Sequence, residues 1–147
     1  MRTVTLVTAA VLLGIASSTL ASAPFTRYTV SNETRIVRDN MTGLFWQQEP
    51  APGALEWSEA DAYCRGLRRD GRDWRLPRMK ELLTLIDPAT AGVLIDNVIF
   101  PNTPGERFWT FTPHVVATEN YWAVDFSNGG THNELPTEML RVRCVQQ

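Results

Sequence analysis

Apolar positions recur along this chain in two periods, and the switch between them outlines its elements. Arg35-Ile36-Val37-Arg38-Asp39 and Leu44-Phe45-Trp46-Gln47 are short extended runs separated by the turn sequence Asn40-Met41-Thr42-Gly43. Together they predict a β-hairpin. Glu49 to Ala54 holds two prolines and a glycine and reads as a loop. Beyond it the period lengthens. Trp57, Ala60, Cys64 and Leu67 share one helical face with Tyr63 beside them, so a helix is expected over Trp57 to Arg69. Ser58 with Asp61 resembles a capping box at its start, and Asp70-Gly71 ends it. A second helix is expected from about Pro77, a residue suited to a first turn, with Leu82, Leu83 and Ile86 as its stripe and Asp87-Pro88 as its stop. Asp96 to Gly105 is irregular. Phe108 to Thr112, Tyr121 to Phe126 and Leu140 to Val145 return to strand character, and Ser127-Asn128-Gly129-Gly130 is a turn. A hairpin, two helices and then strands argue for an α+β fold with an antiparallel sheet.

The first 23 residues follow neither period. Arg2, an apolar run from Val4 to Ile15 and the small residues up to Ala23 have the layout of a secretory signal peptide, with cleavage after Ala21 or Ala23. The expected organisation is a signal peptide over residues 1–23 and one domain over residues 24–147. No later stretch is apolar enough to span a bilayer, so the exported chain is expected in the periplasm or outside the cell. Export changes the reading of Cys64 and Cys144. An even count in an oxidising compartment favours a bridge between them, closing a loop of 80 residues. Two free thiols or one reactive cysteine are the alternatives.

A length of 147 residues with 44% hydrophobic and 20% charged residues suits one globular domain and opposes disorder. The net charge of −2 gives no support for a general nucleic-acid binder. One segment departs from that balance: Arg65, Arg68, Arg69, Arg72, Arg75, Arg78 and Lys80 are interrupted only by Asp70 and Asp73. Arg65, Arg68, Arg69 and Arg72 fall at spacings that share one side of a helix, and guanidinium forks suit sulfate, phosphate or carboxylate. They are candidate ligand residues, against the plainer reading of a solvated face. Five tryptophans, Trp46, Trp57, Trp74, Trp109 and Trp122, suit either a core or sugar stacking. Most are expected inside, and Trp109 and Trp122 are retained as candidate contacts.

Catalytic and metal signals are weak. His114 and His132 lie in loop-like segments without a zinc or nucleophile motif around them. Asp125, Asn128, Glu119 and Asn120 could converge on a calcium ion, but Asn128-Gly129-Gly130 is explained by turn chemistry alone. No metal, cofactor or catalytic residue is expected.

Several segments also resemble those of a known family. Thr42-Gly43-Leu44-Phe45-Trp46-Gln47, the helix carrying Trp57, Ala60, Tyr63, Cys64 and Leu67, and Asp73-Trp74-Arg75-Leu76-Pro77 followed by Glu81-Leu82 occur in its order. Phe108-Trp109-Thr110, Trp122-Ala123-Val124-Asp125-Phe126 and Arg141-Val142-Arg143-Cys144-Val145 follow. The chain resembles the C-terminal domain family of the Legionella collagen-like protein from about Arg35 to Val145. That resemblance implies a C-type-lectin-like fold with a long disulfide from first helix to last strand. It assigns Trp46, Trp57, Asp73, Trp74, Arg75 and Pro77 to structural motifs. For the founding protein it implies adhesion through sulfated glycosaminoglycans, as a trimer. This sequence holds no Gly-X-Y run to enforce a trimer, and a monomer is expected. The expected function is an exported, non-catalytic binding module for a glycan or another anionic surface ligand. An envelope assembly protein with a protein partner is the alternative, and an unrecognised hydrolase the third.

Overall fold

A computed structural model describes residues 27–147. The signal peptide expected over residues 1–23 lies outside the described residues. In chain order the elements are β1 (Tyr28–Ser31), β2 (Ile36–Asp39), β3 (Phe45–Gln47), α1 (Trp57–Gly66), α2 (Met79–Leu83), β4 (Arg107–Pro113), β5 (Tyr121–Asp125), β6 (Thr131–Glu134) and β7 (Val145–Gln146). They form two antiparallel sheets, ordered β1-β2-β3-β7 and β4-β5-β6, so the fold is α+β.

The β2–β3 hairpin closes because Gly43 takes a left-handed φ of +75° and donates its N–H to the Asp39 carbonyl at 2.8 Å. Its register pairs Val37 with Trp46, and Trp46 with Val145 of β7, all three fully buried.

Both helices differ from expectation at their ends. The α1 start is capped two residues earlier, by Glu59 accepting the Glu56 N–H at 3.3 Å. Asp61, expected in that box, pairs with Arg65 instead. The helix stops at Gly66, three residues short of Arg69. Glycine is a poor helix former, and Leu67 turns extended so that its side chain packs on the core. α2 starts at Met79, and after Leu83 the N–H groups of Thr84, Leu85 and Ile86 bond to carbonyls three residues back. That tighter turn buries Leu82 and Leu85 together.

The segment from Leu140 to Val145 is not one strand. Leu140 bridges Leu55, Arg141 bridges Phe108, and Val145 pairs with both Trp46 and Arg75. It changes partner every few residues, which prevents a continuous ladder but stitches the two sheets together. The Cys64–Cys144 disulfide ties α1 to this segment, and both cysteines are fully buried.

The interior has two parts, and β4 feeds both. Phe108 and Trp109 point to opposite faces because successive strand residues alternate. Phe108 joins Trp46, Leu82, Phe100 and Phe126, while Trp109 joins Ala60, Trp74, Leu76 and the disulfide. Arg143 enters the same interior as a fully buried cation. Its Nη1 donates to the carbonyls of Gln47 (3.0 Å) and Gln48 (2.7 Å), its Nη2 to Thr103 Oγ1 (2.6 Å), and its guanidinium lies 4.7 Å from the Phe100 ring centre. Burial pulls its pKa down to about 9, so it remains protonated at neutral pH.

An ion pair spans the stretch from Asp73 to Leu82. Arg75 donates both Nη atoms to the Glu81 carboxylate at 2.8 Å each, and Glu81 also accepts the Arg78 N–H at 2.7 Å. This fork fixes the extended Arg75 beside β7 and leaves Trp74 and Leu76 buried on either side of it. Burial works to raise the Glu81 pKa, but the hydrogen bonds from Arg75 and the Arg78 N–H outweigh it and hold the group below the usual carboxylate range. Such a group stabilises the fold above its unfolded pKa, and the contribution is lost as pH falls through the folded value. Glu81→Gln is expected to cost about 1–2 kcal/mol at neutral pH. The gap from the parent should close in urea denaturation curves taken at successively lower pH through the acid range; a gap independent of pH would contradict the assignment.

Candidate functional site

The arginine-rich run does not line one helix. Only Arg65 lies on α1, where its Nε pairs with Asp61 at 2.8 Å. Arg68 follows the helix, and its Nη1 reaches only the Arg65 carbonyl, at 3.4 Å. Arg69 is a strut: its Nη1 donates to the carbonyls of Arg35 (2.9 Å) and Thr34 (3.4 Å). Arg72 pairs with Asp70 at 2.9 Å and covers the Phe45 ring at 4.1 Å. The reason is local. After the early helix end, Asp70 and Gly71 both take left-handed conformations, with φ of +50° and +70°, and the chain reverses. The expected shared arginine face is therefore corrected: Arg65 and Arg68 border one cleft, Arg72 another, and Arg69 is committed to backbone.

The larger cleft has a volume of about 640 Å³ and lies where α1, the α1–α2 connection and β4 meet. Asp61 and Arg65 come from α1, Arg68, Asp73, Trp74 and Arg75 from the connection, and Phe111 from β4. Phe111 is placed by its N–H, which donates to the Pro77 carbonyl at 2.7 Å, and its ring remains 43% exposed. Arg65 and Arg75 each have a carboxylate partner. Arg68 has no ion pair among the described residues and is exposed, so it is the cation available to an incoming anion. The second cleft, about 310 Å³, sets Arg38 and Arg72 around Phe45 with Thr29 and Ser31 of β1.

The tryptophans divide sharply. Trp46 and Trp109 are fully buried, and the Trp109 indole N–H donates to the Leu55 carbonyl at 2.8 Å. Trp109 is thus a core residue, which corrects its place among the candidate contacts. Trp74 is 3% exposed and its N–H donates to the Arg69 carbonyl. Trp57 is half-buried, stacks on Tyr121 at 3.8 Å between ring centres, and has Phe111 at 5.8 Å on its other side. Trp122 is also half-buried and contacts His114 at 4.8 Å. The row Phe111–Trp57–Tyr121 beside the cleft escaped the sequence reading; a free aromatic on β4 with tyrosine at the start of β5 was its only signal.

The oxygens considered for calcium do not converge. Asn120 precedes β5 and Asp125 ends it, about 16 Å apart along a five-residue strand. Asp125 Oδ1 accepts the Ser127 N–H and hydroxyl, while Asn128 Oδ1 accepts the Gly130 N–H. His114 Nδ1 accepts the N–H groups of Val116 (3.3 Å) and Ala117 (2.9 Å), and His132 Nε2 lies 3.9 Å from Asp125. Among the described residues no group of three or more His, Cys, Asp or Glu is gathered to hold a metal ion. No helix among them is long and apolar enough to cross a membrane.

These features define a small α+β domain stitched by one long-range disulfide, with a charged, aromatic-edged cleft at its Asp73–Pro77 stretch. The Lcl C-terminal domain matches residues 35–146, and the chain belongs to that family. No curated protein matches the chain.

Proposed function

We propose that the chain is an exported, non-catalytic binding module whose larger cleft takes the anionic group of a glycan. The observation that carries this reading is Arg68, a guanidinium without an acid partner among the described residues, lining a cleft of about 640 Å³ together with the exposed Phe111 ring. A guanidinium fork suits sulfate or carboxylate, and an exposed ring suits the apolar face of a sugar. The disulfide and the family support export, and the adhesion implied for the family's founding protein supports an anionic ligand. Pairs such as Arg65–Asp61 on the wall favour specificity over general attraction to polyanions.

The test is a glycan array including sulfated glycosaminoglycans, probed with the oxidised protein in rising salt, with calcium and with chelator. Retention should fall with salt and ignore chelator. Arg68→Ala should weaken it about tenfold or more, since one hydrogen bond to a charged group is worth roughly 1.5–3 kcal/mol. Loss on chelation would overturn the metal-free site, and absence of binding to any glycan would overturn the reading.

A further inference from the structure

Charge is segregated along this chain. Seven bases lie between Arg65 and Lys80, whereas Phe108 to Leu140 holds no lysine or arginine and four acids, Glu119, Asp125, Glu134 and Glu138. The same basic-free stretch carries most of the large apolar side chains left open to solvent. Val115 and Val116 are 88% and 87% exposed, Leu135 50% and Met139 56%. Sheet register and backbone bonds bring them to one end of the β4–β5–β6 sheet. Pro113 pairs with Tyr121, and Tyr121 with Glu134, so the 114–120 loop and Leu135 leave the sheet together. The Trp57 N–H donates to the Pro136 carbonyl, and Leu140 bridges Leu55, which sets Met139 beside the α1 start.

The tip is braced by local bonds. His114 Nδ1 accepts two loop N–H groups, the His114 N–H bonds to the Asn120 carbonyl at 2.8 Å, and the imidazole packs on Trp122. Two valines are therefore held in water by a loop braced through the N–H groups of His114, Val116, Ala117 and Asn120, and such local bracing lowers the cost of association. Around them Glu56, Glu119 and Glu138 have no ion-pair partner among the described residues. An apolar centre backed by the half-buried Trp57 and Tyr121, with unpaired acids at its rim, has the composition of a protein interface.

We infer that this end of the β4–β5–β6 sheet docks a protein partner whose contact surface is apolar at its centre and basic at its edge. Arg107 of β4 neutralises Glu134 at 2.6 Å, so Glu56, Glu119 and Glu138 set the charge of the rim, and this charge selects the occupant: it repels acidic partners and anionic lipid headgroups alike. The row Phe111–Trp57–Tyr121 runs from the arginine-lined cleft to this surface, but Val115, Val116, Leu135 and Met139 do not line that cleft, so the two readings are tested by different residues.

The probes are two short synthetic peptides, one alternating leucine and arginine and one alternating leucine and glutamate, titrated into the full-length oxidised protein and followed by amide chemical shifts. The leucine–arginine peptide should move the amides of Val115, Val116, Leu135 and Met139. Val115→Ser with Val116→Ser should weaken it about tenfold, with melting unchanged, because these side chains are open to solvent. Arg68→Ala, which disables the cleft, should leave this binding untouched. Equal binding of the leucine–glutamate peptide at these amides would overturn the inference. So would shifts confined to the cleft, insensitivity to the valine changes, or tighter binding of anionic lipid vesicles at the tip.

Discussion

Arg143→Ala is expected to destabilise the protein by about 3–5 kcal/mol, more than any charge change on its surface. The side chain supplies three hydrogen bonds to two carbonyls and a threonine hydroxyl. Its loss leaves the buried Gln47 carbonyl and Thr103 hydroxyl and the partly buried Gln48 carbonyl without that donor, and leaves the Phe100 ring without the guanidinium packed on it. Two further variants separate the causes. Arg143→Met fills much of the volume and removes the buried charge, so it should lose less than alanine, the remainder measuring the orphaned acceptors. Arg143→Lys keeps the charge but replaces a planar fork with one point donor, and it should not restore the parent. Urea denaturation of the oxidised proteins ranks them. An alanine variant within about 1 kcal/mol of the parent would mean that the acceptors find other donors, and the structural role assigned to Arg143 would be wrong.

Arg143 also shows where sequence reading runs out. Val142-Arg143-Cys144 alternates as a strand with one wet face does, and that period places the arginine outside. Here the segment is covered on both sides, by Gln47 and Gln48 with Thr103 on one and the Trp109 core on the other. Burial of the alternate face is a tertiary fact with no local signature. Other features were legible because they are local. Gly43 marks its turn, and Trp57, Ala60 and Cys64 mark the inward side of α1. The arginine cluster failed at one joint. Asp70 takes a left-handed conformation to which aspartate is prone, and the Asp70-Gly71 stop breaks the helical spacing that groups Arg65 to Arg72. Trp109 and Trp57 look alike in sequence, but only one is sealed by both sheets. The arginine run still marked the correct neighbourhood, since Arg65, Arg68 and Arg75 all line the larger cleft. What it did not reveal was that Phe111 of β4 lines the same cleft.

The second large effect is expected at the disulfide. Replacing Cys64 and Cys144 together by serine should cost about 4–5 kcal/mol, the loop-closure entropy of the 80 residues the bridge spans. That is a large part of the 5–15 kcal/mol that typically holds a domain together. Cys144 lies between Val142 and the β7 pairing, its N–H donates to Gln47 Oε1 at 3.1 Å, and its carbonyl accepts the Gln47 N–H at 3.0 Å. The bridge therefore anchors α1 to the segment that joins both sheets. Reduction should first raise hydrogen exchange from Leu140 to Gln146 and at Gln47, before it reaches the β4–β5 pairing. The reduced parent and the serine pair should melt alike, both well below the oxidised protein. Coincident curves for reduced and oxidised protein would show that the bridge adds no stability, and would place the burden of joining the sheets on Arg143 and the backbone bridges alone. A partial loss confined to Leu140–Gln146, with the helices still protected, would instead mean that this segment opens as a unit and that the bridge closes it.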